Sequence, residues 1–283
     1  MALVLRNTRD LLKPGSLKLK ILIYGLHGSG KTTFLAGVPD LGIGASETGF
    51  GKGLIGVAGE ELDYVEINSY DDFDSFCSGA VYRDKSAYGL DSLSDIVKTY
   101  VKAKALSFPR QKGESLKRNA GVPEIDDYGV MGELTRKLLR KLIDTDKHIV
   151  VTSGLRIDKP DLENGQGEML IGPDLAGQMF LGSTAMFDLV LCARTRSVLD
   201  KPGDAKSRRT EYYYITNSPG NGIIAKNRLG VKGGKSFLPP EVIFDPRDNK
   251  QGPGSFHWLL NVANEAYTKF LEEQKNAQTV SRN

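Results

Sequence analysis

Length, composition and charge are those of an ordinary globular protein. The chain has 283 residues, of which 40% are hydrophobic and 26% charged, and its net charge is +3. This composition excludes an intrinsically disordered chain and a small disulfide-stabilised scaffold. The charge neither requires nor excludes nucleic acid as a partner, so any DNA-binding surface must come from local clustering of basic residues.

The cysteines and the hydropathy of the chain indicate the cellular compartment in which the protein is expected. Cys77 and Cys192 lie far apart and form no C-x-x-C or metal-binding spacing, which favours buried, reduced thiols. The first residues lack the apolar core of a signal peptide, and no run reaches the roughly 18 apolar residues of a membrane span. We therefore expect a soluble cytoplasmic protein, in the host cytoplasm if phage-encoded, with no membrane partner.

The first 17 residues are predicted to form an N-terminal arm outside the core. Residues 13–16 read Lys-Pro-Gly-Ser, a turn signal that separates a short apolar patch from the first core strand. Two structures are open for this segment: a frayed arm, or a strand donated to a neighbouring subunit.

A phosphate-binding motif follows the first predicted strand. Residues 25–32 read Gly-Leu-His-Gly-Ser-Gly-Lys-Thr and satisfy the pattern G-x-x-x-x-G-K-[ST]. The apolar run Ile21–Tyr24 precedes the motif, and a segment of helical character follows it and stops at Gly37–Pro39. Strand, glycine loop and helix are the context that confirms such a motif.

Each part of this motif has a chemical role. The glycines let backbone N–H groups turn toward a β-phosphate, Lys31 can reach the β- and γ-phosphates, and the Thr32 hydroxyl can ligate Mg²⁺. The pattern predicts binding of a nucleotide, ATP, together with Mg²⁺. The predicted nucleotide-binding residues are Gly25, Leu26, His27, Gly28, Ser29, Gly30, Lys31, Thr32 and Thr33.

A glutamate that could activate water follows the next predicted strand. Residues 41–49 are rich in glycine, yet they occupy the place of the second strand of a βαβ unit. Glu47 falls at the C-terminal end of this segment, the edge at which open α/β sheets bind ligands. A carboxylate there can polarise the water that attacks a γ-phosphate. Glu60 and Glu61 are alternatives.

A second acidic residue ends a later predicted strand. Leu90-Asp91-Ser92-Leu93 precedes an amphipathic helical run. Nucleotide hydrolases place an acid of the Mg²⁺ shell at the end of a strand beside the phosphate loop, and Asp91 is the best candidate for it. Two alternatives stay open: Asp91 as a helix cap, and Asp95 as the acid.

Two stretches are predicted to be insertions. Residues 103–122 combine clustered lysines and arginines with Phe108 and small polar residues, which predicts a long basic loop. Such a loop suits single-stranded nucleic acid, although a solvated insertion without a ligand is the alternative. Residues 156–173 form a second insertion, rich in acidic residues and glycine.

The remaining predicted elements complete an α/β pattern. Leucines at helical spacing predict a helix over 130–143, and residues 148–154 read as a buried strand whose Thr152 or Ser153 could sense a γ-phosphate. The other predicted elements are a strand at 187–194, a hairpin partner at 211–216 and a C-terminal helix over 256–274 followed by disordered residues.

A pair of cations follows the last predicted core strand. Residues 222–230 contain Lys226 and Arg228, separated by an asparagine and followed by glycine. Cations at the tip of a hairpin can reach an adjacent subunit's nucleotide and stabilise the charge on its γ-phosphate. An exposed basic turn is the alternative.

Four of these segments together resemble the RecA-like core shared by RecA, RadA and DnaB-type helicases: residues 25–32, 90–93, 148–154 and 224–230. Ser46-Glu47-Thr48-Gly49 and Asp127-Tyr128-Gly129 are more specifically similar to AAA-type phage nucleotide-binding proteins, a family that includes RecA-like single-strand annealing proteins. The resemblance covers roughly residues 18 to 245.

This resemblance implies a fold and a set of residue roles. The expected fold is an α/β RecA-like P-loop core over 18–254, with a mainly parallel sheet flanked by helices and a C-terminal β-hairpin region, followed by a helix and tail over 255–283. The two insertions would occupy the places of the DNA-binding loops of RecA. The implied roles are phosphate and Mg²⁺ binding by Lys31 and Thr32, the Walker B acid at Asp91, the catalytic base at Glu47 and trans-acting cations at Lys226 and Arg228.

The resemblance also implies a function. We expect a DNA-stimulated ATPase that binds single-stranded DNA, forms a homo-oligomer with nucleotide at the subunit interface, and promotes annealing or strand exchange in phage recombination. A phage or host single-strand-binding protein is a further expected partner. The alternatives are a motor or loader ATPase for replication or packaging, and an ATP-gated scaffold that does not hydrolyse ATP.

Overall fold

The computed structural model describes residues 16–47, 52–108, 121–159, 169–177, 179–199, 207–218, 220–230 and 236–280. These ranges contain the strands β1 (Lys20–Gly25), β2 (Leu41–Ala45), β3 (Asp63–Glu66), β4 (Ala87–Asp91), β5 (His148–Ser153), β6 (Leu155–Asp158), β7 (Leu170–Pro173), β8 (Leu189–Leu199), β9 (Arg208–Ile215), β10 (Lys226–Asn227) and β11 (Glu241–Phe244). They also contain the helices α1 (Lys31–Ala36), α2 (Tyr70–Cys77), α3 (Leu93–Ile96), α4 (Lys102–Ser107), α5 (Ile125–Ile143), α6 (Met179–Gly182) and α7 (Phe256–Val280). A π-helical turn at Val97–Val101 joins α3 to α4, and 3-10 segments lie at Lys52–Glu60, Thr184–Met186 and Pro246–Asp248.

One mixed sheet carries most of these strands. Its order is β11-β9-β8-β1-β5-β4-β2-β3, with β10 paired to β8. The strands from β8 to β3 are parallel, whereas β9, β10 and β11 run antiparallel to their neighbours. The predicted α/β fold, with a mainly parallel sheet flanked by helices and an antiparallel C-terminal region, is confirmed.

The central strand β1 separates two halves of the core. Ile21 and Ile23 face the cluster that contains the buried side chains of α1 and α7. Leu22 and Tyr24 face the opposite cluster, built with α2, α3 and α5. Because both faces of a parallel sheet are covered, its strands are apolar along their whole length rather than alternating. This arrangement buries the sheet and leaves its C-terminal edge for the loops.

The first predicted insertion begins later than the sequence suggested. Residues 103–107 were expected in a loop, but they belong to α4, which ends at Ser107. The physical reason is burial: Val101 and Ala105, four residues apart on one helical face, are 0% and 1% exposed. Residues 109–120, the centre of the predicted basic loop, lie outside the described residues.

The second insertion has regular ends. β6 and β7 form a separate antiparallel pair, from Leu155 opposite Pro173 to Asp158 opposite Leu170. Both ends of the stretch 156–173 are therefore strands, and residues 160–168 lie outside the described residues.

The C-terminal helix is longer than predicted. It runs to Val280, so the residues after 274 that were expected to be disordered are helical up to that point. Leu259, Ala263 and Tyr267, spaced four residues apart, bury one face of this helix against the core. None of the helices in the described ranges combines the length and the apolar character needed to cross a membrane. Most of the predicted N-terminal arm, residues 1–15, lies outside the described residues.

Candidate functional site

The turn between β1 and α1 has a backbone that only glycine adopts readily. The φ angles are +73° at Gly28 and +86° at Gly30, in the left-handed region. A side chain at Gly25 would overlap the carbonyl oxygen of Ala193 on the neighbouring strand β8. No side chain caps α1, so the N–H groups of its first turn stay available to an anionic ligand.

The predicted nucleotide-binding residues all lie in this turn or in the first turn of α1. Leu26 is 64% exposed, whereas Ser29 is 5% exposed. The buried Ser29 hydroxyl has no hydrogen-bond partner among the described residues. The Thr33 carbonyl accepts a hydrogen bond of 3.0 Å from the Asn249 side chain. An orphaned hydroxyl inside a glycine turn fits a loop whose polar groups serve a phosphate.

Lys31 folds back over the loop that precedes it. Its ammonium group donates hydrogen bonds to the carbonyl oxygens of Gly25, at 3.0 Å, and Leu26, at 2.9 Å. Burial lowers the pKa of Lys31, whereas the carboxylates of Asp91 and Glu47 raise it. The side chain therefore lies inside the loop with two acidic residues close enough to influence its charge.

Asp91 is the acid that the fold brings to the phosphate loop. It ends β4 and is 6% exposed. The Thr32 hydroxyl donates to its Oδ2 at 2.9 Å, and the Thr152 hydroxyl at the end of β5 donates to its Oδ1. Burial raises the pKa of Asp91, against the opposing effects of these two hydrogen bonds and of the Lys31 charge.

A hydroxyl and a carboxylate in contact are a donor set that suits Mg²⁺. The ion prefers hard oxygen ligands and commonly binds through one or two protein groups together with substrate phosphates. Thr32 and Asp91 meet this requirement at the C-terminal edge of the sheet. Asp95, the rival acid, lies in the first turn of α3 and accepts a hydrogen bond of 3.5 Å from Thr99, one turn further along the chain.

Glu47 lies at the same edge. It follows β2, whose neighbour β4 ends at Asp91. Partial burial raises the pKa of the Glu47 carboxyl, and the Asp91 and Asp95 carboxylates raise it further, whereas His27 and Lys31 lower it. Because Ala45 at the end of β2 pairs with Asp91, Glu47 follows its strand at the edge where Asp91 lies.

The two rival glutamates lie in other surroundings. Glu60 forms a salt bridge of 2.8 Å with Lys250. Glu61 follows it with a φ of +52° in the connection to β3. The pKa of Glu47, by contrast with these surroundings, is influenced by the charges of both Lys31 and Asp91.

Lys226 and Arg228 do not lie at this edge. Lys226 pairs with Val190 and Asn227 with Leu189, at the N-terminal end of β8. The Lys226 ammonium donates to the carbonyl oxygens of Thr184 and Ala185, both at 3.0 Å. Burial and the Arg228 charge lower the pKa of Lys226 to about 8, with Asp188 opposing them.

Arg228 has a similar position. Its guanidinium donates to the Ala185 carbonyl at 3.1 Å, and its backbone N–H donates to the Asp188 carbonyl at 3.0 Å. The expected hairpin tip is wrong, because Lys226 lies in the short strand β10, which pairs with β8, and Arg228 directly follows that strand. The structure thus brings Lys31, Thr32, Asp91 and Glu47 together and leaves Lys226 and Arg228 apart from them.

Sequence reasoning missed the C-terminal segment beside α1. The Asn249 side-chain amide donates a hydrogen bond to the Thr33 carbonyl. The centres of the Phe244 and Phe34 rings lie 6.0 Å apart. The weak signal for this segment was Asp245-Pro246, a turn pair after an apolar run. Thr152, one of the two residues considered as a phosphate sensor, donates a hydrogen bond to Asp91.

Comparisons with known proteins give one family and several distant similarities in structure. No curated protein matches the chain. Solved structures similar to it include the flagellar accessory protein FlaH from Methanocaldococcus jannaschii, at 13% identity over 88% of this chain and 94% of that one, with a TM-score of 0.36. The RadB recombinase is similar at 15% identity over 70% and 79% of the two chains, with a TM-score of 0.35.

A third similar structure is a KaiC-like protein from Pyrococcus horikoshii, at 12% identity over 80% and 85% of the chains, with a TM-score of 0.36. Similarities at this level carry no information about the activity of this chain. The match to a protein family is stronger evidence. The family model described as an AAA domain matches residues 17–229, a range that includes the phosphate loop, Glu47, Asp91 and Lys226. The chain therefore belongs to the AAA domain family of P-loop proteins.

Proposed function

We propose that this protein binds ATP with Mg²⁺ and hydrolyses it. The observation that carries the proposal is the hydrogen bond of 2.9 Å between Thr32 and Asp91. This bond joins Thr32, at the end of the phosphate motif, to a buried acid on β4. In the sheet, β4 is separated from β1 by β5. Thr32 would hold Mg²⁺ directly and Asp91 would hold it through water, and the ion would supply positive charge to the phosphates.

The remaining residues have separate roles in this proposal. Lys31 leaves its loop carbonyls and binds the β- and γ-phosphates, where its charge stabilises the transition state. Glu47 orients the attacking water and accepts its proton, since its raised pKa makes it a better base than an ordinary glutamate. Thr152 keeps the Asp91 carboxylate in position.

We further propose that Lys226 and Arg228 act on the nucleotide of a neighbouring subunit. Lys226 lies opposite Val190, which pairs with Leu22, whereas the phosphate loop follows Gly25. Three strand residues correspond to about 10 Å at 3.3 Å per residue, and β8 intervenes between the two strands. This separation supports a role in trans, which makes ATP hydrolysis dependent on assembly.

The proposed polymer partner is single-stranded DNA, and the proposed activity is annealing or strand exchange in phage recombination. The support is the resemblance of the sequence motifs together with the basic character of residues 103–122. Lys104 lies at the end of α4, which leads into this stretch, and its ammonium is 5.5 Å from the centre of the Tyr70 ring. A helix that carries lysines and leads into a basic segment suits the phosphates of a single strand.

The test is ATP hydrolysis by the purified chain with and without single-stranded DNA. Lys31→Ala is the negative control for hydrolysis at the phosphate loop. Arg228→Ala tests the proposed subunit interface, and Arg83→Ala is its matched control because it removes an exposed arginine far from Arg228 in the sequence. We expect DNA to raise a Lys31-dependent rate several-fold, and we expect Arg228→Ala, but not Arg83→Ala, to remove the rise.

Other outcomes would select another function. If the Lys31-dependent rate of ATP hydrolysis is the same with and without DNA, single-stranded DNA is not the partner. Strand unwinding in place of annealing identifies a motor or loader. Nucleotide binding without turnover under any condition identifies an ATP-gated scaffold.

A further inference from the structure

The Glu47 carboxyl occupies space beside a residue that has no side chain. A Cβ built on Gly53 would lie 2.8 Å from the Glu47 Oε2, 3.2 Å from its Cδ and 3.5 Å from its Cβ. The first distance is shorter than real Cβ atoms show, whereas the last is ordinary van der Waals contact. The Glu47 side chain therefore lies along the backbone of Gly53, and a side chain at position 53 would displace its carboxyl.

The backbone before Glu47 is bonded to the end of β4. Ser46 is 1% exposed, and its N–H donates to the Asp91 carbonyl at 2.8 Å. The Ser46 hydroxyl donates to the Ser92 carbonyl at 3.2 Å and accepts from the Ser92 N–H at 3.1 Å. Because these bonds hold the chain at this point, the position of the Glu47 carboxyl depends on its own side chain and on what that side chain touches.

Gly53 is held in turn by the segment that contains it. This residue lies in the 3-10 segment Lys52–Glu60. Leu54 and Val57 of the same segment are each 7% exposed and belong to the core cluster that contains the buried side chains of α1. The surface that Gly53 presents is thus attached to the helix that begins at the phosphate loop.

We propose that Gly53 is a positioning residue for ATP hydrolysis, which leaves the space that the Glu47 carboxyl needs at the C-terminal edge of the sheet. The inference rests on the hydrolysis proposed above, in which Glu47 orients the attacking water. Gly53 acts through Glu47, so its substitution affects the rate of hydrolysis and leaves the binding of ATP by Lys31 and Thr32 unchanged. Misplacement of a reacting group by about 1 Å can cost about a hundredfold in rate.

The experiment measures steady-state ATP hydrolysis by the full chain, with Gly53→Ala as the test and Gly56→Ala as the matched control. Both glycines lie in the same 3-10 segment, and neither has a φ in the left-handed region. A Cβ on Gly56 meets no atom within 4 Å. Alanine restricts the unfolded chain alike at the two positions, and only at position 53 does it reach Glu47.

Gly53→Ala is expected to lower kcat about ten- to hundredfold and to change the KM for ATP less than about twofold. Gly56→Ala is expected to leave both quantities within about twofold of the unaltered chain. The two variants should melt within about 2 °C of each other, because the group that Gly53→Ala displaces is the end of a flexible, exposed side chain.

A second comparison isolates the action through Glu47. Glu47→Gln keeps the shape of the side chain and removes the base. In this background Gly53→Ala is expected to change the residual rate less than about twofold, since the group through which it acts no longer accepts a proton.

The outcomes separate the two proposals. If the unaltered chain shows no Lys31-dependent hydrolysis, the proposed function fails and this inference fails with it. If the chain hydrolyses ATP and Gly53→Ala behaves like Gly56→Ala, only the role of Gly53 is overturned. The same holds if Gly53→Ala raises KM with kcat unchanged, or costs as much in the Glu47→Gln background as in the unaltered chain. A Gly53→Ala variant that fails to fold also overturns this role, because more than the Glu47 side chain then has to move.

Discussion

Asp91 serves the proposed chemistry, but its buried carboxylate lowers the stability of the fold at neutral pH. Its carboxyl is 6% exposed, and burial raises its pKa despite hydrogen bonds from Thr152 and Thr32. An aspartate with a raised folded-state pKa binds a proton more readily in the folded chain than in the unfolded chain. Its contribution to stability is therefore most favourable below the unfolded pKa, about 3.9, and declines as the pH rises through the folded pKa.

Asp91→Asn is expected to stabilise the fold and remove the activity. At neutral pH asparagine avoids the desolvated charge, so the melting temperature should rise by about 2–4 °C, the shift that about 1 kcal/mol produces in chains of comparable size. ATP turnover should fall by roughly two orders of magnitude or more, because the oxygen pair with Thr32 is lost. Thermal unfolding at pH 7 and steady-state hydrolysis measure the two effects.

Asp95→Asn is the control for this change. Asp95 is a neighbouring acid near the same edge, and its replacement should alter both quantities far less. A variant at Asp91 that melts at a lower temperature would contradict the assignment of burial as the dominant effect on its pKa.

At the scale of elements, β2 is a buried strand whose sequence is poor in strand formers. Leu41–Ala45 reads Leu-Gly-Ile-Gly-Ala, and every position is buried. A Cβ on Gly42 would lie 2.5 Å from the Tyr82 ring, and one on Gly44 would lie 2.7 Å from Ile67 Cδ1. The glycines are therefore explained by side chains that cover the strand closely, and intrinsic propensity is overridden by packing.

Gly42→Val is expected to destabilise the protein although valine is the better strand former. The added methyl groups would collide with Tyr82, and overpacking of this kind costs about 1–3 kcal/mol. Urea unfolding of the variant should show a lower midpoint. Gly56→Val is the control, since a Cβ at Gly56 meets no atom within 4 Å. An unchanged midpoint for Gly42→Val would mean that Tyr82 moves away at little cost.

At the scale of the whole molecule, the proposed catalytic groups are divided between opposite edges of the sheet. Lys31 and Asp91 lie at the C-terminal edge, whereas Lys226 and Arg228 hold the carbonyls of Thr184 and Ala185 near the N-terminal end of β8. A head-to-tail interface between copies would bring the two edges together and generate a ring or a filament.

Mixing two inactive variants tests this arrangement. Lys31→Ala subunits keep the trans cations, and Arg228→Ala subunits keep the phosphate loop, so random co-assembly in equal amounts should restore about one quarter of the normal ATPase rate. As the control, the double variant carrying both changes should restore nothing when mixed with Arg228→Ala. The absence of recovery in the first mixture would contradict a trans role for Arg228.

The predictions from sequence succeeded where the signal is local. The phosphate motif could be recognised because its glycine spacing, its lysine and its threonine occupy eight consecutive positions. Apolar runs located the strands that carry Asp91 and Thr152. The loop expected at residues 103–107 was wrong, since a short helix that contains lysine and precedes a basic stretch looks like part of that stretch until the burial of Ala105 is known.

The sequence by itself determined the α/β class, the phosphate loop and the candidate acids for the proposed Mg²⁺ site, because these follow from short-range periodicity and spacing. The tertiary structure alone decided which residues meet. It placed Asp91 against Thr32, separated Glu47 from Glu60 and moved Lys226 and Arg228 to the opposite edge. It also brought Tyr212 and Phe244 beside Gly30. The physical reason is that strand order and long-range packing join residues far apart in the chain, and no local pattern encodes those distances.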